Sequence, residues 1–81
     1  MKNDNKKEYR TKDFYVAAFL MTSGFKLSSL DRTNSRQIFF VFDYDSAIEE
    51  NVDNFFFGRD KISAKELVTA VKNLKQLIYS K

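Results

Sequence analysis

The order of apolar and polar residues along the chain predicts its secondary structure. Residues 14–21 are apolar without interruption, and residues 38–42 form a second, shorter apolar run. From residue 64 onward, apolar residues recur every three or four positions, which is the period of an amphipathic helix. A weaker pattern of the same kind covers residues 46–57. Together they predict a single small α+β domain with the element order α-β-β-α-α.

Capping and turn residues set the limits of three predicted helices. Thr11 has the side chain of an N-cap and is expected to begin the first helix, which should end before Gly24. Gly58 is the expected stop of the second helix. Ser63 and Glu66 have the spacing of a capping box, in which each side chain accepts a hydrogen bond from the other residue's backbone N–H. The third helix should therefore begin there.

Two short β-like segments follow the first helix. Residues 25–32 and residues 36–43 are joined by Thr-Asn-Ser, a linker that tolerates a tight turn. We expect them to form a two-stranded antiparallel hairpin packed on the helices. The polar, lysine-rich residues 1–10 show no period and are expected to be a flexible basic N-terminal arm, which leaves residues 11–81 as the domain.

The first helix is apolar on all sides, which normally means that it is covered on all sides. A hairpin and two further helices offer little surface for that purpose. We therefore predict that a second copy of the chain or another partner covers part of this helix or the outer face of the strand at residues 38–42, while a monomer tightly wrapped around its aromatic residues stays the alternative. The residues expected at this partner or dimer interface are Tyr15, Phe19, Leu30, Phe39 and Val41.

Composition removes most catalytic chemistry. The 81 residues include no histidine and no cysteine, so the commonest general base and the thiolate nucleophile are both missing. We expect a protein that is not an enzyme, with no catalytic residue, no metal site and no cofactor. The N-terminus lacks the pattern of a secretory signal, and the longest apolar run is eight residues, against about 20 for a membrane span. A cytoplasmic protein with no membrane contact is expected.

The basic residues are the best candidates for function. The formal net charge is +3, and basic residues are concentrated in residues 1–12 and 58–81, whereas residues 41–57 hold five acids and no base. Lysines on an arm and a helix face suffice to contact phosphate groups, although ordinary solubility explains them equally well. The predicted nucleic-acid-binding residues are Lys6, Lys7, Arg10, Lys12, Arg59, Lys61, Lys65, Lys72 and Lys75.

Other functions remain open from the sequence. A protein-binding inhibitor or adaptor of a host protein would use Phe39, Val41 and Leu30, or the acidic side of the second helix. Asp43 and Asp45 have the spacing of a magnesium-binding pair, but capping and solvation explain them more simply. The aromatic strand resembles the RNA-stacking strand of an RRM domain, although the element order differs and the glycines of that motif are missing.

Four segments stand out between Tyr9 and the end of the chain: YRTKDFYVAAFL (9–20), GFKL (24–27), FFVFD (39–43) and LKQLIY (74–79). They resemble a family of short uncharacterised proteins encoded by phages and mobile elements. That family has no assigned activity, so the resemblance carries over no site residue. It implies a small accessory protein that acts on nucleic acid or on a host protein, in the host cytoplasm if the protein is viral.

Overall fold

A computed structural model describes residues 7–34, 36–58 and 63–79. The elements are β1 (Glu8–Thr11), α1 (Phe14–Thr22), β2 (Leu27–Asp31), β3 (Phe39–Asp43), α2 (Ile48–Phe56) and α3 (Ala64–Tyr79). The predicted α+β class is confirmed. The predicted order α-β-β-α-α is wrong, because a strand precedes α1 and the order is β-α-β-β-α-α.

The three strands form one antiparallel sheet with the order β1-β3-β2. The expected pairing of β2 with β3 is present, but it is only part of the sheet, since β1 pairs with the other side of β3. Tyr9 lies opposite Phe42 and Thr11 opposite Phe40, so these two side chains of β1 share the face of the central strand that points to the helices. Strand β1 is stabilised because its backbone groups hydrogen-bond to the edge of β3 that β2 leaves unpaired. Tyr9 of β1 also packs against the core.

A bulge adjusts β2 to the core. The register shifts between Leu27 and Ser29, and the Ser28 hydroxyl donates a hydrogen bond to the Val41 carbonyl oxygen at 3.0 Å. Because of the extra residue, Leu27 and Leu30 both pack against the core although they are three positions apart.

Helix α1 has a cap at each end, but its first cap differs from the one that was expected. Asp13, not Thr11, is the N-cap: its Oδ1 accepts hydrogen bonds from the N–H groups of Tyr15 at 2.9 Å and Val16 at 3.1 Å. Thr11 lies in β1, and its Oγ1 accepts from the Asp13 N–H. Gly24 ends the helix as predicted, at a φ of 94°.

The core is built around α1. Residues 16–20 are buried one after another, and they pack against Phe40 and Phe42 from the sheet, Ile48 from α2, and Ala70 and Leu74 from α3. Helices α2 and α3 both contact α1. The chain itself therefore covers residues 16–20 of α1, and no partner is needed at these positions.

The stop of α2 and the start of α3 agree with the sequence. Gly58 follows α2 at a φ of 68°. The Ser63 Oγ accepts a hydrogen bond from the Glu66 N–H at 3.4 Å, which is one half of the predicted capping box. At the other end of α3, the Arg32 guanidinium donates to the carbonyl oxygens of Leu77 at 3.1 Å and Ile78 at 2.8 Å. This contact ties the end of α3 to the residue after β2.

Candidate functional site

A shallow depression between α1 and α3 brings an exposed tyrosine next to two lysines. We call it the α1–α3 groove. Its volume is about 390 Å³, and its lining consists of Tyr15, Leu67, Val68, Val71, Lys72 and Lys75. Three of the residues predicted as binding or interface positions, Tyr15, Lys72 and Lys75, thus meet in one place.

The position of Tyr15 follows from the way α1 is capped and buried. Tyr15 is the second residue of α1, and the five residues after it are all buried, yet the Tyr15 side chain itself is 60% exposed. Its ring meets the Phe14 ring edge-on, with 5.4 Å between centroids and an interplanar angle of 89°. In an edge-on pair the edge of one ring meets a face of the other, so Phe14 covers at most one of the two faces of the Tyr15 ring.

On the other side of the groove, α3 presents a stripe of side chains. Val68, Lys72 and Lys75 lie four and three positions apart, so they share one side of the helix. Leu67 and Val71 are half-buried beside them and pack against the core. The groove therefore has an apolar floor, an aromatic wall and a rim with two positive charges.

The chemistry of the α1–α3 groove suits an anionic ligand with a flat apolar part. Lysine ammonium groups bind phosphate oxygens as point charges, and an exposed aromatic ring can stack on a base. Of the six lining residues, all within the described part of the chain, none is acidic. The groove therefore carries a local charge of +2 with no carboxylate of its own to offset it.

Lys65 lies outside this groove. It lines a second depression of about 590 Å³, together with Met21, Glu66 and other residues from α1 and α3. Since Glu66 is part of the same lining, the two opposite charges offset each other. The predicted row of three lysines on α3 is therefore divided between two surfaces.

Arg10 and Phe39 lie on the side of the sheet opposite the helices, where they contact each other. The Arg10 guanidinium carbon is 5.5 Å from the centroid of the Phe39 ring. The same guanidinium forms an ion pair with Asp31 and lies 3.7 Å from a carboxylate oxygen of Glu8. Arg10 is thus engaged inside the chain, between two carboxylates.

The remaining predicted interface residues are mostly covered by the chain. Val41, opposite Arg10 in the sheet, is only 2% exposed. Phe19 is buried and stacks on Phe55 with 4.8 Å between centroids, and Leu30 packs half-buried against the core. Of the five, Tyr15 alone offers a largely exposed side chain.

The other predicted basic residues are dispersed. Lys7 lies 5.8 Å above the Tyr44 ring centroid, and its carbonyl oxygen accepts a hydrogen bond from the Tyr44 N–H. Lys12 is exposed between β1 and α1. Lys6, Arg59 and Lys61 lie outside the described residues.

Across residues 7–34, 36–58 and 63–79, no three His, Cys, Asp or Glu side chains are arranged to hold a metal ion. Asp45 instead accepts a hydrogen bond from the Ala47 N–H at 2.8 Å, in the turn before α2. Tyr9 lies near the acidic side of α2: burial raises its pKa above the usual 10, and the negative charges of Glu49, Asp13 and Asp53 add to the shift.

Sequence reasoning found the lysines of the groove but missed their association with Tyr15, which depends on how α1 crosses α3. One signal was present in the sequence. Val68 is an apolar residue on the lysine-bearing side of α3, where a solvated helix face would carry a polar one. Such a residue indicates that the face has an apolar component.

Comparisons with known proteins place the chain in a family but assign it no activity. A family model described as a domain of unknown function (DUF5659) matches residues 6–80. No curated protein and no solved structure matches the chain. In the part of the chain that the structure describes, every helix is too short or too polar to span a lipid bilayer.

Proposed function

Since the chain belongs to the DUF5659 family, whose function is unknown, we propose a function from its own surface. The protein is a non-enzymatic binding module that associates with nucleic acid. Lys72 and Lys75 hold phosphate groups of the ligand at the rim of the α1–α3 groove. The origin of the protein in a phage or mobile element stays a prediction, because nothing in the family match indicates it.

One observation carries the proposal: Tyr15, Lys72 and Lys75 line the same depression. Lysines scattered over a surface are explained by solubility alone, whereas two lysines beside an exposed aromatic ring form a composite surface. Phosphate contacts of this kind fix the position of a nucleic acid without reading its sequence. Binding should therefore depend on salt much more than on base composition.

The first prediction concerns this salt dependence. Binding of a labelled oligonucleotide, followed by fluorescence anisotropy between about 50 and 200 mM salt, should weaken as counterions compete for the phosphates. The double variant K72Q/K75Q removes two positive charges from the rim. We expect it to lower the slope of log affinity against log salt concentration by about 1.4–1.8, because each phosphate contact contributes roughly 0.7–0.9.

The matched control is K26Q/R36Q, which removes the same net charge from two exposed residues that do not line the groove. Its salt slope should stay close to that of the original protein. If both double variants lose affinity equally, bulk charge and not the groove attracts the ligand. A salt-independent interaction, or none at low salt, would overturn the proposal.

A second candidate function rests on α2 and the turn that follows it. Phe56 and Phe57 are 62% and 70% exposed, and Glu49, Glu50 and Asp53 are exposed on the same helix. Exposed aromatic rings near carboxylates suit a basic, apolar surface of a host protein, as expected of an inhibitor or adaptor. Light scattering before and after nuclease treatment separates the two functions, because only a protein complex keeps its mass.

A further inference from the structure

We infer that the α1–α3 groove takes a single strand of nucleic acid, with one unstacked base on the ring of Tyr15 and the adjoining phosphates at Lys72 and Lys75. The inference rests on the proposed function and names the ligand class of the same site. It distinguishes a single strand from a duplex, which phosphate contacts alone do not.

The exposed ring of Tyr15 leaves space for a base to stack on it. A ring that is 60% exposed beside an apolar floor has room for a flat partner, and among the described residues Phe14 is the one aromatic ring paired with it. In a duplex both faces of each base are occupied by neighbouring bases. A base can therefore stack on Tyr15 only where the strand is single or locally opened.

The lining of the groove has few polar groups that could distinguish one base from another. Apart from Tyr15 and the two lysines, the lining consists of Leu67, Val68 and Val71, whose side chains neither donate nor accept hydrogen bonds. A base in the groove meets mainly apolar surface and the tyrosine ring, so its identity matters little. The lysines, as mobile point charges, tolerate several positions of the backbone.

The size and charge of the groove agree with this ligand. Its volume of about 390 Å³ lies near the lower end of the roughly 300–1,000 Å³ that is usual for small-ligand pockets. One base with its sugar suits such a depression better than a folded domain of another protein. The +2 charge at the rim complements the phosphates on either side of that base.

The test compares a short labelled single-stranded oligonucleotide with the duplex of the same sequence, by fluorescence anisotropy at about 50 mM salt. The original protein should bind the single strand more tightly. Y15A should weaken binding to the single strand about 5- to 150-fold, the usual range for losing one base–aromatic stack, and leave duplex binding unchanged. Y15F keeps the ring and should bind like the original.

Two further variants serve as controls. Y79A removes an exposed tyrosine that does not line the groove and should change neither affinity. Y15L keeps apolar bulk without an aromatic face and should lose affinity for the single strand as Y15A does, which separates stacking from packing. Circular dichroism melts check that each variant is folded.

The outcomes separate this inference from the proposed function. If Y15A binds the single strand like the original protein, or loses both ligands equally, the inference is wrong. If K72Q/K75Q still loses both ligands in that case, the proposed function stands without a stacked base. If the original protein binds neither ligand, both are wrong.

Discussion

At the scale of single residues, Asp31 closes a polar network at the end of β2. Its Oδ1 accepts hydrogen bonds from the Thr33 hydroxyl at 2.6 Å and the Thr33 N–H at 2.9 Å, and its Oδ2 accepts from the Arg10 guanidinium. The two hydrogen bonds from Thr33, followed by the bond from Arg10, lower the pKa of this carboxyl from 3.8 to about 2. The carboxylate form is therefore favoured in the folded protein.

Ionisation of Asp31 makes the stability of the folded protein depend on pH. Because the folded pKa of Asp31 lies below its unfolded value of about 4, its stabilising contribution is present above pH 4 and is lost as the pH falls through about 2. Carbon-detected NMR of the Asp31 carboxyl should show a titration midpoint near 2. Thr33→Val should move it up toward the usual value of about 4, since the donating hydroxyl is lost.

Thr69→Val is the matched control for this titration. The Thr69 hydroxyl donates to the Lys65 carbonyl oxygen on α3 and has no hydrogen bond to Asp31. Its removal should leave the midpoint near 2. An unchanged midpoint in Thr33→Val would show that Thr33 does not set the acidity of this carboxyl.

At the scale of secondary-structure elements, the last turn of α3 depends on a residue from the sheet side of the chain. Arg32 donates to the carbonyl oxygens of Leu77 and Ile78, near the negative end of the helix dipole. Arg32→Ala should lower the free energy of unfolding by about 1 kcal/mol, since the contact is exposed to solvent. Urea unfolding measures the total loss in the free energy of unfolding. Amide hydrogen exchange in the last turn of α3 shows whether the loss is localised there.

Arg36→Ala provides the comparison. Arg36 is also exposed and carries the same charge, and the hydrogen bond it makes to the Asn34 side chain comes from its backbone N–H, which alanine keeps. The urea midpoint should therefore barely change. Equal midpoints for the two variants would mean that the Arg32 contact adds nothing to stability.

The helices could be predicted from the sequence because their signals are local. Gly24 and Gly58 stand where a left-handed residue ends a helix, and Leu67, Val71 and Leu74 recur with the helical period. Strand β1 was missed because four residues with two charges carry little apolar signal. Its pattern is nevertheless alternating, with Tyr9 and Thr11 half-buried between exposed Glu8 and Arg10.

The candidate site could be predicted only in part. The lysines are visible in the sequence, but a one-dimensional pattern does not show which of them share a surface. The crossing of α1 and α3 brings Lys72 and Lys75 to Tyr15 and leaves Lys65 with Glu66. The Asp31–Arg10 pair likewise depends on β3 lying between the two strands that carry these residues.

At the scale of the whole molecule, the chain by itself covers most of α1, the helix that is apolar on all sides. The sheet, α2 and α3 together bury residues 16–20, and β1 adds a third strand that the pattern of apolar residues did not predict. A homodimer stays a prediction, but it does not need the buried side of α1. The surface left to it includes Tyr15 and the exposed rings at the end of α2.

This packing makes stability depend on a few large side chains. Phe19 is 2% exposed at the centre of the core, so Phe19→Ala should cost about 3–5 kcal/mol. A chain of this length is usually stable by roughly 4–12 kcal/mol, so the variant should melt far below the original protein or not fold. Thermal unfolding followed by circular dichroism measures the change.

Phe56→Ala is the control, because it removes the same side chain from an exposed position. Its melting temperature should stay near that of the original protein. If Phe19→Ala melted at the same temperature as this control, the prediction that stability depends on close packing around α1 would be wrong.

The central position of β3 also constrains how the molecule is made. Both outer strands hydrogen-bond to a segment that is translated after them, so neither strand can be paired in the sheet until β3 has been synthesised and is free to fold. Until then the apolar residues of α1 in the nascent polypeptide lack the sheet that covers them in the native fold, and they are open to chaperones or aggregation. Synthesis that stopped before Phe39 would leave both outer strands without the partner they have in the native sheet.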